Sequence, residues 1–465
     1  MTTVADVRSA PAVTRALAAF VADTPASAVP PEARSHALVT MADTLGTTAA
    51  GLRDPALAVL RAGLLPWAGA GQSRLAGSDG RADPPTAALL NAAAAHALDY
   101  DAISFAVSGF VGSASVSALA ALVDAGAQVS GEEVVTAYCL GWEAAAAIGR
   151  GVNPHHYAKG WHPTSTLGRF AATAASCRLL GLSSEQTAMA LSIAVAEASG
   201  VKTMIGNMLN PYHVGTAARN GLVAARLASV GFVGNAAALE ADQGFLNLFN
   251  GRGEHAPDHI VGALGSRWDL VDPGPVVKVY PCCGLVHSTL DALLALREEY
   301  GLTADDVDEV SVRVHAYVPR VMHVDVPDSG YAAKFSIPYC CASAVIDGAC
   351  GLATFDAVRP EVVEWGKRVS VTVADDLRDG SSFFGEEYSE VEVTVGGERL
   401  TKRVRRMENR GTGANLVDAD ILAKIQDCFR HGGVSGDPLV AWQRIMAADG
   451  PSPFGFWELM GVVDG

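Results

Sequence analysis

The chain has 465 residues, of which 49% are hydrophobic, 18% charged and 7% aromatic. Its 34 Lys and Arg against 50 Asp and Glu leave a formal charge of −16 with His neutral. No basic cluster interrupts that acidity, which excludes a nucleic-acid-binding role built on phosphate neutralisation. Globular chains carry about 25% charged residues, so the apolar surplus calls for a large buried surface. Two domains are expected at this length, and a second copy of the chain, as a homodimer, is expected to cover the remainder.

The eight cysteines, Cys139, Cys177, Cys282, Cys283, Cys340, Cys341, Cys350 and Cys428, form two adjacent pairs and scattered singles. That is neither a disulfide framework nor zinc-ribbon spacing, and it points to a cytoplasmic setting with no bound metal. The opening MTTVADVRSAPAV has no basic stretch followed by an apolar core, so no signal peptide is expected. The longest apolar stretch, around Phe110–Ala127, is broken by Ser, Gly and Asp, so no membrane span is expected.

In chain order, Ala-rich segments with helical spacing predict helices at about 12–22, 33–51, 86–98, 113–126, 131–149, 164–181, 184–199 and 214–230. In LGLSSEQTAMALSIAVAEASG, Ser183 or Ser184 is the expected N-cap and Gly200 the expected stop. Ala faces let helices approach closely, which suits a bundle. Near residue 255 the texture changes, and HAPDHIVGALGSRWDLVDPGP reads as a Pro- and Gly-punctuated crossing. Beyond it, alternation predicts strands in 307–318 and 367–375, and a hairpin over 389–406 turning at Gly396-Gly397. Helical pattern returns in PYCCASAVIDGACG and from Asp418 onward. The expected class is mainly α with an α+β part. An all-helical domain over 1–265 precedes a smaller α+β domain over 270–405, and helices at 410–465 return to the first.

Several signals fail. GAGQSR at Gly69–Arg74 follows Pro66-Trp67 and leads into GSDGRADPP, so it cannot pin phosphate to a helix N-terminus. No Walker loop, G-x-S-x-G elbow or H-E-x-x-H is present, and His155-His156 cannot both ligate from one helical face. No cofactor is expected.

Four segments can carry chemistry. In AHALDYD, His96 and Asp99 are one turn apart at the tip of an apolar helix, with Asp101 following. A carboxylate there is either part of a C-terminal cap network or functional. In GWHPTSTLGRF, His162 precedes Pro163, and Thr164, Ser165 and Thr166 surround a helix N-terminus suited to a carboxylate. The competing reading is an ordinary Ser/Thr cap with the His stacked on Trp161. In NPYHVGTAARNG, His213 enters another Ala-rich helix, where a lone His is commonly a core residue. KVYPCCGLVH brings Lys278, Tyr280, Cys282, Cys283 and His287 together, open to a nucleophile, a metal ligand or plain buried thiols.

Taken together and in this order, the motifs resemble the MmgE/PrpD family, which includes 2-methylcitrate dehydratases, cis-aconitate decarboxylases and iminodisuccinate epimerases. The likeness runs through AHALDYD, GWHPTSTLGRFAATAASCRLLGL, PYHVGTAARNGLVAARLASVGFVG, the K-x-Y-P-C run and KFSI. GWHPTSTLG and the AARNG helix look most like the epimerase branch. The resemblance implies a large helical domain with a smaller α+β lid, a homodimer, no metal and no organic cofactor. It also implies a cleft between domains that handles small di- and tricarboxylates. Asp99 matches the family aspartate, His162 the H-P histidine and Tyr317 the tyrosine early in the lid.

Elsewhere the chain departs from the pattern. Ile103 stands where the family has Thr, Gly109 near an expected His, Asn210 for a Lys, and Cys283 for the decarboxylase P-x-H histidine. Fewer positive charges around a polyanion favour a smaller or less charged substrate. The expected activity is cofactor-free proton movement at a carbon next to a carboxylate or carbonyl, by an isomerase, epimerase or lyase. His162 is expected as general acid/base, titrating near working pH, and Asp99 as its orienter or a second base. Asn210, Tyr317 and Thr164–Thr166 would hold an enolate-like intermediate, with His213 and Lys278 binding substrate and Cys283 as a second proton carrier. A dehydratase or decarboxylase is the alternative, and a catalytically silent scaffold the reading from another class.

Overall fold

The computed structural model describes residues 12–377, 387–408, 411–452 and 455–461. The first eleven residues of the segment read for a signal peptide lie outside them. The chain divides into two compact units. One is formed by Met1–Ala97, Asp101–Val277 and Asp418–Gly465, the other by Leu98–Tyr100 and Lys278–Val417.

The first unit is helical. Its principal helices before the crossing are α1 (Val13–Asp23), α2 (Pro31–Gly51), α3 (Pro84–His96) and α4 (Gly112–Asp124). They continue with α5 (Gly131–Val152), α6 (Pro163–Leu179), α7 (Ser184–Glu197) and α8 (Leu209–Ser229). Local sequence sets the boundaries. Ser130 with Glu133 and Ser183 with Gln186 close capping boxes at the starts of α5 and α7, and Pro163 opens α6 at a position that needs no N–H. Helix α7 stops at Glu197 rather than at Gly200, because Val201 leaves to bridge Trp161.

Helix α6 is buried along nearly its whole length and lies between α5 and α8. A Cβ at Gly141 of α5 would lie 2.7 Å from the Ala171 carbonyl and 2.8 Å from Ala175 Cβ. One at Gly221 of α8 would lie 2.6 Å from Ala172 Cβ and 2.7 Å from Thr173 N. Backbones this close need small residues on both sides of each contact, which the Ala-rich pattern supplies. The helix Asp418–Gly432 packs on α2, where Lys424 Nζ meets the buried Asp43 carboxylate at 2.5 Å.

The second unit holds a four-stranded sheet of β1 (Glu309–Val314), β2 (Val369–Val373), β3 (Tyr388–Val395) and β4 (Glu398–Arg405), in the order β2-β1-β3-β4. Strands β1 and β2 are parallel, and β3 is antiparallel to both β1 and β4. Gly396 and Gly397, both at positive φ, turn the β3–β4 hairpin. Val310, Val312, Val391 and Val393 alternate onto one buried face, against which the helix His287–Tyr300 packs. The segment Gly69–Arg74 ends in a two-residue strand paired with Arg81–Ala82 rather than entering a helix.

Candidate active site

In the first unit, the turn leading into α6 and the first turns of α8 present facing polar groups. His162 is the N-cap residue of α6, and its N–H donates to the Gly200 carbonyl at 3.0 Å. Its Nδ1 lies 2.9 Å from His213 Nδ1, one turn along α8 from Asn210. One of those two nitrogens carries the hydrogen and the other accepts it. Burial, together with the charges of His213, His96 and Lys202, holds His162 well below the ordinary histidine range. Burial also lowers His213 to about 4. Both rings are therefore neutral at pH 7, which corrects the expectation that His162 titrates near working pH. It starts as a base, not an acid.

Asn210 is tied to a second network. Its Nδ2 donates to His96 Nε2 at 3.1 Å, His96 Nδ1 donates to Asp101 Oδ1 at 2.7 Å, and Ser113 Oγ donates to Asp101 Oδ2 at 2.5 Å. His96 thus pairs with Asp101, not with Asp99 one helical turn on. His96 ends α3, and Asp99 beyond it adopts φ 52, which takes its side chain off the helical path.

Of the three hydroxyls at the start of α6, two are engaged in the fold. Thr164 Oγ1 accepts from Phe110 N at 3.2 Å. Thr166 Oγ1 meets His156 Nε2 at 2.7 Å and donates to the His162 carbonyl at 3.3 Å. His156 sits in the single helical turn His155–Ala158 rather than in a loop, and it, not His162, stacks near Trp161. Ser165 Oγ is buried with no hydrogen-bond partner among the described residues. It lies against Gly200, where a Cβ would come within 2.6 Å of it and 3.6 Å of His213 Cε1. Gly109 leaves no room for a side chain in this backbone, because its Cβ would fall 2.9 Å from both Thr164 N and Oγ1.

Sequence reading missed Arg169. It is 1% exposed, and its Nε and Nη1 have no hydrogen-bond partner among the described residues. Its charge helps to depress His213. The signal was present: Arg169 is the cation in the middle of an apolar helix, whose other cation, Arg178, lies in the last turn, and it falls one turn beyond Ser165 and two beyond His162. Lys202, over the Tyr157 ring at 3.7 Å and lowered to about 8 by burial, adds a second cation.

In the second unit, Asp99 and Lys278 form a buried ion pair. Lys278 Nζ lies 2.8 Å from Asp99 Oδ2 and 2.5 Å from the Asp99 carbonyl. This ties Leu98–Tyr100 to the second unit, and Tyr100 OH donates to the Val279 carbonyl at 3.3 Å. Cys283 is buried, its N–H donates to the Lys334 carbonyl at 3.1 Å, and burial pushes its thiol up to about 12. It is a neutral thiol at pH 7, fit to donate a proton rather than to attack. Tyr317 is half-buried at the start of the Val318–Val321 turn, and its N–H donates to His315 Nδ1 at 3.0 Å.

Comparison with known proteins agrees with this organisation. The MmgE/PrpD N-terminal domain matches residues 15–257 and the MmgE/PrpD C-terminal domain residues 280–436. The chain is 29% identical over 339 residues to a cis-aconitate decarboxylase of Aspergillus terreus, covering 67% of this chain and 68% of that one. It is 28% identical over 341 residues to the Mus musculus cis-aconitate decarboxylase, covering 70% and 68% respectively. With the Homo sapiens cis-aconitate decarboxylase it shares 27% identity over 332 residues, covering 67% and 66%. Matched over both of its parts, the chain belongs to the MmgE/PrpD family.

Proposed function

We propose that the protein is a lyase of small carboxylic acids, of the decarboxylase or dehydratase kind, in which His162 moves a proton at a carbon next to a carboxylate. The observation that carries this reading is the buried, neutral His162 bonded to His213, on a helix that also bears Ser165 Oγ and the Arg169 guanidinium. Neutral imidazole is the form that accepts a proton from carbon, and His213 fixes which ring nitrogen is free to do so. Arg169 and Ser165 offer unsatisfied donors of the kind that receive carboxylate oxygens. The likeness to cis-aconitate decarboxylases supports small organic acids as the substrate class.

The remaining roles follow from chemistry. Tyr317 and Cys283, the latter a neutral thiol at pH 7, are assigned to returning a proton, and Asp99 held by Lys278 to the second carboxylate role. With Asn at 210 and Gly at 109, the proposal favours a dicarboxylate over a tricarboxylate. An isomerase or epimerase is the second reading. It is favoured by the GWHPTSTLG segment and by a pair of histidines that begins in the base form.

The test is incubation in D₂O with cis-aconitate and with smaller dicarboxylates, followed by NMR. Deuterium is expected at the carbon next to a carboxylate, with loss of carbon dioxide or water. The His162→Ala variant is expected to slow exchange by roughly a hundredfold or more, the scale of one general acid/base. Exchange without either loss would move the reading to the epimerase, and no exchange with any acid would sink it in favour of a scaffold.

A further inference from the structure

Outside the candidate site, the second unit brings together three cysteines that are far apart in the chain. The sulfurs of Cys282, Cys340 and Cys350 all lie within 4.8 Å of one another, and all three residues are buried. They come from three different pieces of backbone. Cys282 precedes the tight turn Gly284–Val286. Cys340 lies in the helix Ile337–Asp347. Cys350 follows Gly348, whose φ of 69 ends that helix and turns the chain. His287 opens the helix His287–Tyr300, is 2% exposed, and shares a hydrogen bond with the Cys282 thiol. Its Nε2 is buried with no hydrogen-bond partner among the described residues.

We propose that Cys282, Cys340 and Cys350 form a structural site for a thiophilic d¹⁰ cation, zinc(II), with the neighbouring His287 turning in as the fourth ligand. Zinc held by thiolates at about 2.3 Å in a tetrahedron spaces its sulfurs at just under about 4 Å, so three sulfurs this close need little rearrangement. Three-cysteine, one-histidine sets are closed structural sites, with no open position for water or substrate. Three thiolates and one neutral imidazole around a divalent ion leave a single negative charge. Lys334 supplies its counterpart, since its ammonium acts on both Cys282 and Cys350 from a buried position where Nζ also donates to the Pro281 carbonyl at 2.7 Å.

Zinc would join the K-x-Y-P-C turn to the end of a helix, fixing the segment that also carries Lys278 and Cys283. The individual spacings could not announce such a site, because no two of its cysteines sit two to four positions apart.

The experiment uses the full chain, purified under reducing conditions, stripped with a strong chelator and reloaded with Zn²⁺ or Co²⁺. One zinc per chain is expected by native mass spectrometry after gel filtration. Cobalt is expected to give thiolate charge-transfer absorption with the intense visible bands of a tetrahedral site. Cys350→Ser is expected to lose the metal, His287→Ala to weaken it at least tenfold, and Cys428→Ala, in the first unit, to leave it unchanged. Should the cluster variants fail to fold, competition between wild-type protein and a chromophoric chelator still decides the matter. Wild-type protein that retains no zinc in that competition, or a disulfide linking two of the three sulfurs in the reduced preparation, overturns the proposal.

Discussion

At the scale of single residues, the state of His162 governs how activity should respond to pH. An exposed histidine base loses function as pH falls through about 6.5. His162 is held well below that value by burial and by neighbouring cationic groups, so its base form persists further into acid. The acid limb of kcat/KM should therefore lie well below pH 6.5, and a limb at 6.5 would assign the base to another group. Asn210 offers a second check. Its Nδ2 donates to His96 Nε2, which in turn is fixed by Asp101. Asn210→Lys brings an ammonium into a buried position and disturbs the donor that His96 accepts. Turnover of the native substrate should fall, because a buried charge without its carboxylate is costly. A gain in turnover would show that the substrate carries a carboxylate that the added ammonium meets. Both residues were legible from motifs. Arg169 was equally visible as a cation in the middle of an apolar helix, but its weight depends on burial, which spacing does not report.

At the scale of elements, the positions of His162 and His213 depend on how closely α6 and α8 approach. Gly221 sets that distance, since its missing Cβ would fall 2.6 Å from Ala172 Cβ and 2.7 Å from Thr173 N. Gly221→Leu should force the helices apart and destabilise the protein by about 3 kcal/mol or more, the upper range for overpacking. Thermal melting would read this as a lowered Tm. The widened spacing should also weaken the His162–His213 contact and reduce exchange activity beyond what the fall in folded fraction explains. An unchanged Tm would mean the crossing is looser than the backbone geometry requires. The helix and strand segments themselves were readable from period and punctuation. The eight helices α1–α8 fall on the segments their spacing predicts, although the ten-residue helix Pro55–Leu64 was not predicted, and the β3–β4 hairpin turns at the predicted glycines.

At the scale of the whole molecule, buried neutral histidines tie stability to acid. His156 is lowered to about 4, chiefly by burial, while its hydrogen bonds to Asn250 and Thr166 hold it in place. In the unfolded chain it titrates near 6.5, so between pH 6.5 and 4 the unfolded state binds a proton that the folded state does not. Its contribution is present above 6.5 and is lost as pH falls toward 4. The loss reaches at most about 1.4 kcal/mol per pH unit for one proton. His156→Gln keeps a donor and an acceptor but cannot take the proton. Denaturant titrations across that range should show a shallower decline for the variant than for the parent chain, and parallel slopes would refute the assignment.

What the sequence determined on its own is local or periodic. Apolar period, capping residues and turn glycines decide helices and strands within a few residues of each other, and four ordered motifs suffice to point to the family. What only the tertiary structure decided is every partnership between distant side chains. His96 takes Asp101 instead of Asp99 because Asp99 leaves the helix at positive φ and meets Lys278, 179 positions away. His162 meets His213 because α6 and α8 cross at small residues. The three cysteines converge because a helix, its terminal glycine and a separate turn end at one place. Such meetings depend on the path of the backbone between residues, and a one-dimensional pattern contains spacing along the chain but no distance across it.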